Sequence, residues 1–296
     1  MKHFLWLLAL LVSVARAEIS VMDDTGATLR LAAPAARIVS LAPHVTETLF
    51  SAGAGERIVG AVDYSDYPEA AKRIPRIGGY SRLDLEAIAT LRPDLAIGWV
   101  SGNSPAHIEK IRALGIPVFL VQPRHIDDVA VNLERFGHIA GSGAAAHAAA
   151  QAFRERLAEL RNRHAARPAV RVFYQVWNQP LMTVGGSQII SDVIKLCGGA
   201  NVFADLEPLA PKVSVEAVLA RDPEVIVASG MGEARPEWLD DWRKWPSLAA
   251  VKRDNLFFIP PDLLQRPTPR LLEGAARLCE QLETARTKRM QQRENR

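Results

Sequence analysis

Residues 144–166 read AAAHAAAQAFRERLAELRNRHAA. This stretch contains neither glycine nor proline, and its apolar residues recur at helical spacing, at Ala146, Ala150, Phe153, Leu157 and Leu160. A glycine precedes the stretch and Pro168 follows it, so we predict one linking helix over 143–167, in which the 23 residues 144–166 span about 35 Å. A helix of this length in the middle of the chain indicates that it joins two halves.

The sequence on each side of this helix alternates short β-branched runs with helical patterns, which is typical of an α/β fold with mostly parallel strands. Strands are predicted at 37–40, 58–62, 95–99, 118–121, 170–175, 225–228 and 256–259, and helices at 46–52, 85–91, 107–114, 188–196, 215–220 and 271–285. We therefore predict α/β lobes over 36–142 and 168–286, followed by a solvated basic tail over 287–296. The alternative is one continuous domain with a long helix on its surface.

A short internal repeat supports the division into two lobes. Residues 85–97 read LEAIATLRPDLAI and residues 215–227 read VEAVLARDPEVIV, so in both copies a helix is followed by a proline, an acidic residue and a strand. Ser81 and Ser214 lie upstream as possible N-caps. Two interpretations of Glu86 and Glu216 stay open: favourable electrostatics at a helix start, or a matched pair of exposed charges, one on each lobe.

The composition is that of a globular protein, with 48% of the 296 residues hydrophobic, 23% charged, and a mean hydropathy of zero. The N-terminus carries a basic residue, an apolar run over 4–14 and then Ala15-Arg16-Ala17, which predicts a signal peptide, 1–17, cleaved after Ala17. Removing Lys2 and Arg16 lowers the 36 basic residues to 34, against 33 acidic ones, and this balance argues against nucleic-acid binding. We expect a soluble exported protein.

The sequence carries no recognisable catalytic or metal-binding motif. It has no G-x-S-x-G turn and no phosphate-binding loop, and its seven histidines show no metal-ligand spacing. We therefore predict no catalytic residue and no metal site, and a binding protein rather than an enzyme. His44, which follows the first strand of the first lobe, is a possible ligand contact. Cys197 and Cys279 either form a disulfide or remain buried thiols.

Aromatic residues lie at the ends of predicted strands and in loops. Tyr64, Trp99 and Trp177 end or follow predicted strands, and Tyr80 lies just before a predicted helix. In open α/β sheets, ligands bind beyond the carboxyl ends of the strands. These four residues come from both sides of the long helix, so they predict a cleft between the lobes. Flat rings suit a large, flat, partly apolar ligand whose rim is held by polar groups.

Several segments of the chain resemble a known family. The segments RIVSLAP at 37–43, the helix–proline–strand unit at 86–97 and CGGANVF at 197–203 are similar to the iron-siderophore, haem and cobalamin substrate-binding proteins of ABC importers. The segments YSDYP at 64–68, Trp99 with Gly102 and Asn103, and Asp262 with Arg266 resemble the cobalamin-binding members of that family. The resemblance covers about 37–283 and implies a class III substrate-binding fold, with two Rossmann-like lobes joined by one long rigid helix.

The resemblance also implies which residues bind the ligand. The expected set is Tyr64, Tyr80 and Trp99 in the first lobe, and Trp177, Met182, Asp262 and Arg266 in the second. The aromatic residues of the first lobe would face a corrin ring, Trp177 and Met182 would form an apolar wall, and Asp262 and Arg266 would bond amides on the corrin rim. Tyr80 stands where the relatives have tryptophan, Met182 replaces an aromatic residue, and a further wall tryptophan falls near Ala210. A truncated corrinoid, or one with a different lower base, also fits this expectation.

Partners follow from the resemblance as well. Glu86 and Glu216 match acidic residues that pair with arginines of the permease dimer, which works with ATPase subunits at the inner membrane. Cys197 and Cys279 match a disulfide. We expect a periplasmic, monomeric carrier of cobalamin or a related corrinoid, with no cofactor of its own. The alternatives are a haem or ferric-siderophore carrier on the same scaffold and, more remotely, a periplasmic enzyme or chelatase that uses Asp262 or His44.

Overall fold

The computed structural model describes residues 18–164, 166–230, 232 and 234–295. The predicted signal peptide, 1–17, lies outside the described residues. The first lobe contains, in chain order, β1 (Ile19–Met22), β2 (Thr28–Leu31), β3 (Ile38–Ser40), α1 (Pro43–Ser51), β4 (Ile58–Ala61), β5 (Gly78–Gly79), β6 (Arg82–Leu83), α2 (Leu85–Leu91), β7 (Leu95–Trp99), α3 (Pro105–Ala113), β8 (Val118–Val121) and α4 (Asp128–Ala140). Its main sheet is parallel, with the strand order β4-β3-β7-β8.

The linking helix α5 (Gly143–His164) leads into the second lobe. That lobe contains β9 (Val170–Gln175), α6 (Ile189–Leu196), β10 (Gly199–Asn201), α7 (Val215–Arg221), β11 (Val225–Ala228), α8 (Ala249–Lys252), β12 (Leu256–Phe258), α9 (Pro261–Leu264) and α10 (Leu271–Glu294). Its sheet is also parallel, in the order β10-β9-β11-β12. Both lobes therefore share one topology, in which the strand order reverses between the first and third strands of the sheet.

Helix α5 packs against both lobes. The apolar side chains that the sequence placed on one face, among them Phe153, Leu157 and Leu160, are buried in a core cluster that includes residues of both lobes. Burial of each of these three side chains contributes about 2 kcal/mol. The linking helix is thus an integral part of the hydrophobic core.

A disulfide ties the last helix to the second lobe. Cys197, at the end of α6, is bonded to Cys279 in α10, so the pairing implied by the family resemblance is confirmed. The buried Arg286 of α10 donates hydrogen bonds to the carbonyl oxygens of Cys197, at 2.8 Å, and Pro168, at 2.9 Å. These bonds close the last turn of α6 and the start of β9 against α10.

Two segments differ from the sequence-based expectation. The strands β1 and β2 pair as a hairpin that extends the first lobe towards the N-terminus. Two hydrogen bonds attach this hairpin to β8: the main-chain amide of Asp24 donates to the carbonyl of Leu120, and the carboxylate of Asp23 accepts from the main-chain amide of Leu120. The predicted solvated tail is instead a continuation of α10. Its Lys288 donates to the carbonyl of Asp254 at 2.8 Å, and Arg289 donates to that of Ala169 at 3.0 Å.

The N-cap of α2 also differs from the expectation. Asp84, not Ser81, accepts from the amide of Ala87 at 2.9 Å, whereas Ser214 caps α7 as predicted, at 3.2 Å from the amide of Ala217. Throughout the part of the chain that the structure describes, we find no helix with the length and apolarity that a membrane span requires.

Candidate ligand-binding cleft

The first lobe presents a wall of rings at the carboxyl ends of its strands. Trp99 ends β7, and the imidazole of His44 packs edge-on against its indole, with ring centroids 5.3 Å apart. The ring of Tyr80, in the β5–β6 hairpin, lies 6.0 Å from that of Trp99. Tyr64 follows β4 and is 69% exposed, so a large aromatic surface is open to solvent here. This is the position at which open α/β sheets bind ligands.

This wall faces the second lobe across a cavity of about 470 Å³, which we call the aromatic cavity. Its described lining residues are Pro43, His44, Tyr64, Tyr80 and Trp99 from the first lobe, and Gly230, Gly232, Pro261, Asp262, Gln265 and Arg266 from the second. The structure therefore brings together five of the seven expected ligand-binding residues. Because both lobes contribute walls, a ligand bound here would touch both.

A second space also borders Trp99. This rear cavity, of about 350 Å³, shares Trp99 and Gln265 with the aromatic cavity. Its remaining walls are largely aliphatic and include Val176, Val184 and Leu209. Ala210, where the resemblance places a missing tryptophan, lies in the same wall. Alanine at that position fills less of the rear cavity than a tryptophan would.

Arg266, in the wall of the aromatic cavity, forms an ion-pair cluster that includes residues of both lobes. Its guanidinium lies 2.7 Å from a carboxylate oxygen of Asp66 in the first lobe and 3.0 Å from one of Asp262 in its own lobe. Burial acts to raise the pKa of Asp66, but the hydrogen bond and charge of Arg266 hold it below its ordinary value. Burial raises the pKa of Asp262 against the opposing charge of Arg266. The sequence pattern did not single out Asp66 as a partner of Arg266.

A second ion pair joins the lobes behind this cluster. The buried carboxylate of Glu47, on α1, accepts two hydrogen bonds from Arg270 and one from the hydroxyl of Thr268, each 2.7 Å long. The guanidinium of Arg270 also lies over the ring of Tyr67, 3.8 Å from its centroid. This pair links the first lobe to the segment just before α10.

His44 contributes an uncharged imidazole to the aromatic cavity. Burial, with a smaller effect of the charge of Arg266, lowers the pKa of His44 to about 3, so the ring is neutral near pH 7. Its Nε2 atom is buried without a hydrogen-bond partner among the described residues.

Throughout the described part of the chain, no group of histidine, cysteine, aspartate and glutamate side chains is arranged to hold a metal ion.

Trp177 and Met182 lie apart from the aromatic cavity. They pair through their backbones, with the amide of Met182 donating to the carbonyl of Trp177 at 3.1 Å. The indole of Trp177 donates to the carbonyl of Gln179, and neither residue is among the described linings of the aromatic or rear cavity. Their neighbours Val176 and Val184 line the rear cavity instead.

Glu86 and Glu216 occupy equivalent places on the two lobes. Each is the second residue of a seven-residue helix, α2 or α7, and each side chain is exposed. Both helices begin on the side of their sheet where the strands end, because each runs back to feed the next parallel strand. The two carboxylates therefore lie on the same side of their lobes as the cleft.

Comparison with known proteins agrees with this architecture. Residues 38–263 match the periplasmic binding protein family. The chain is 39% identical over 253 residues to the vitamin B12-binding protein of Vibrio cholerae serotype O1, which covers 85% of this chain and 91% of that protein. The crystal structure of the periplasmic vitamin B12 binding protein BtuF of Vibrio cholerae matches with a TM-score of 0.79 at 38% identity, over 86% of this chain and 98% of that one. A periplasmic heme binding protein from Pseudomonas aeruginosa matches with a TM-score of 0.73 at 25% identity, over 83% and 91%.

Two α/β lobes of one topology, a linking helix and a shared cleft at the strand ends define a two-lobed, class III ligand-binding protein. The chain belongs to the periplasmic binding protein family, and vitamin B12-binding proteins are among its homologues. The predicted fold class and the family resemblance are confirmed.

Proposed function

We propose that this chain is the substrate-binding protein of an ABC importer and that it carries cobalamin, or a related corrinoid, to an inner-membrane permease. The aromatic cavity is the observation that supports this ligand. Tyr64, Tyr80 and Trp99 offer flat apolar surfaces for a macrocycle, while Asp262 and Arg266 across the cleft offer hydrogen bonds to amides on its rim. The identity with vitamin B12-binding proteins supports the same choice.

Titration of the purified protein with cyanocobalamin, haem and a ferric siderophore in parallel tests the proposal. We expect the tightest binding for cyanocobalamin, and we expect Trp99→Ala to weaken it by at least about tenfold because a central aromatic wall is lost. Trp245→Ala is the matched control, since Trp245 packs on Trp242 within the second lobe and is not among the described residues that line the aromatic cavity. Equal or tighter binding of haem would overturn the choice of ligand.

Haem is the second candidate, and the exposed phenol of Tyr64 in the cavity wall is the observation that favours it. The similarity to a heme binding protein from Pseudomonas aeruginosa points the same way, at lower identity. A ferric siderophore is a weaker candidate, because Asp66 and Asp262 offset the positive charge of Arg266 that an anionic complex would use. We propose binding without turnover, and conversion of a corrinoid or metal by the purified protein would contradict this.

Glu86 and Glu216 are the proposed contacts with arginines of the permease. Paired charges of this kind steer docking and fix its orientation more than they add affinity. We therefore expect Glu86→Arg and Glu216→Arg to abolish cobalamin uptake by cells while the affinity for cobalamin stays intact. Glu56→Arg serves as the control, because Glu56 is exposed just before β4, at the opposite end of the sheet. Loss of affinity in either test variant would contradict the docking role.

We further propose that the mature protein begins after Ala17, acts in the periplasm as a monomer, and uses no cofactor, with the corrinoid as cargo. The composition of 1–17 and the membership in a periplasmic family support export. Mass spectrometry of the protein recovered from the periplasm tests the cleavage position, and sedimentation tests the oligomeric state.

A further inference from the structure

Asn103 ties together three segments of the first lobe that end at the cleft. Its side-chain oxygen accepts from the amide of Trp99 at 2.6 Å, and its side-chain nitrogen donates to the carbonyls of Leu41, at 2.8 Å, and Tyr80, at 2.7 Å. Only 5% of Asn103 is exposed, so it has no surface to offer a ligand. Every bond it makes is directed at a neighbouring main chain, and two of those main-chain groups belong to aromatic walls of the cavity.

Two glycines make room for this arrangement. A Cβ atom at Gly102 would lie 1.8 Å from Cε3 of the Trp99 indole, so the absence of a side chain there lets the indole fold back over the turn. A Cβ atom at Gly98 would lie 2.9 Å from the side-chain oxygen of Asn103. The main-chain amide of Asn103 donates to the carbonyl of Trp99 at 3.0 Å and closes the turn. The position of the indole is therefore set by the turn over 99–103.

We propose that Asn103, with Gly102, is the positioning device that sets the relative placement of the Trp99 and Tyr80 rings, and that the corrinoid affinity depends on it. The proposal rests on the function proposed above. The side-chain amide of Asn103 bonds the main chains of Trp99 and Tyr80, and so holds the two rings at a fixed spacing before the ligand arrives. This preorganisation lowers the conformational entropy that is lost on binding. Without it the hairpin that carries Tyr80 loses its hydrogen bond to the β7 turn, and the two rings no longer form one surface.

The test uses the mature protein labelled with ¹⁵N. Of its six tryptophans, Trp6 lies in the predicted signal peptide, so five indole N–H cross-peaks are expected, and the cross-peak of Trp99 is the one lost in Trp99→Phe. We expect Asn103→Ala to shift this cross-peak, to leave the other four in place, and to weaken cyanocobalamin binding by about tenfold. Asn255→Ala is the control for general destabilisation, because Asn255 is equally buried and donates to the carbonyl of Glu224 in the second lobe.

A second variant does not depend on the removal of a buried polar group. Gly102→Ala pushes the indole of Trp99 away while all bonds of Asn103 can still form, and we expect the same shift and a similar loss of affinity. Gly143→Ala is its control, since a Cβ atom there meets nothing within 4 Å.

The outcomes separate this inference from the proposed function. If the wild-type protein binds cyanocobalamin but the Trp99 cross-peak or the affinity is unchanged in both test variants, the positioning role is overturned and the proposed function stands. If the cross-peak shifts in both but the wild-type protein does not bind cyanocobalamin, the placement of the rings by this turn is supported and the proposed ligand is overturned. Equal effects in Asn255→Ala or Gly143→Ala would also overturn the positioning role.

Discussion

Replacing Glu47 with glutamine tests whether the ion pair between the lobes stabilises the fold. The carboxylate is 1% exposed and its partner Arg270 is 16% exposed, so solvent screens neither group well. Glu47→Gln keeps the shape of the side chain but removes the negative charge that faces the guanidinium. Arg270 is then left buried without its counter-charge, and Thr268 loses a charged acceptor.

Breaking one partner of a buried ion pair costs about 3–5 kcal/mol, because the remaining charge is uncompensated. The low end applies here, since Arg270 still lies over the ring of Tyr67 and near Asp262. We therefore expect the free energy of unfolding to fall by about 3 kcal/mol. For a chain of this size, that loss lowers the melting temperature by roughly 6–12 °C.

Urea denaturation followed by circular dichroism measures this loss, and calorimetry gives the melting temperature. The control is Glu134→Gln, because Glu134 and Arg154 form an equally close two-point ion pair, at 2.6 and 2.7 Å, whose side chains are 36% and 39% exposed. An exposed ion pair of that kind contributes at most about 1 kcal/mol to the free energy of unfolding. Equal losses in Glu47→Gln and Glu134→Gln would refute the reasoning that burial makes the difference.

Three further outcomes can be measured. In the folded protein the pKa of His44 is about 3, whereas an unfolded histidine titrates near 6.5. The stability that the neutral His44 ring contributes is therefore fully present above pH 6.5 and is lost as the pH falls, because the unfolded state then binds a proton that the folded state does not. Between pH 7 and 5, urea titrations should show that the free energy of unfolding falls by roughly 2 kcal/mol more for the wild-type protein than for His44→Gln. Arg266→Ala should raise the pKa of Asp262 further in a carboxyl NMR titration, because the opposing guanidinium is gone while Asp66 remains. The double variant Cys197→Ala, Cys279→Ala opens a loop with a sequence separation of 82 and should lose about 4 kcal/mol without changing the affinity for cyanocobalamin.

The strands and helices that the sequence predicts well are those whose pattern is complete within one short segment. The strands at 95–99, 118–121, 170–175 and 225–228 have the predicted bounds, since each is a β-branched or apolar run between clear breaks. The helix at 85–91 also has its predicted bounds. Local pattern is enough where burial on both faces of a parallel sheet demands a continuous apolar run.

The elements that the sequence analysis missed depend on contacts far along the chain. The hairpin of β1 and β2 is held by Asp23 and Asp24, whose partners lie about a hundred residues later, at Leu120 and Gln122. The same limit applies to the cleft. The rings of Tyr64 and Trp99 could be found because they lie at or just after the end of a predicted strand. Asp66 and Arg266, however, are separated by 200 positions, and nothing in either local segment indicates the other.

The internal repeat shows how a local pattern acquires a meaning only in three dimensions. The acidic residue after each proline accepts a hydrogen bond from a main-chain amide near the start of a parallel strand. Asp94 accepts from Arg37, just before β3, at 3.0 Å, and Glu224 accepts from Arg171, the second residue of β9, at 3.2 Å. Those two arginines in turn donate to the carbonyls of the C-cap residues of α2 and α7, Arg92 at 3.1 Å and Asp222 at 2.8 Å. Carbonyl groups at a helix end have no partner within the helix, and these bonds supply one.

Each lobe thus contains the same arrangement of hydrogen bonds, formed by a helix, the acidic residue after a proline, and an arginine at the start of a strand. Both helices end on a residue in the left-handed region, Arg92 at φ 45° and Asp222 at φ 41°, and both begin on a side-chain cap. The second residue of each helix therefore projects in the same local geometry on both lobes. That equivalence is what the proposed docking on a symmetric permease dimer requires of Glu86 and Glu216.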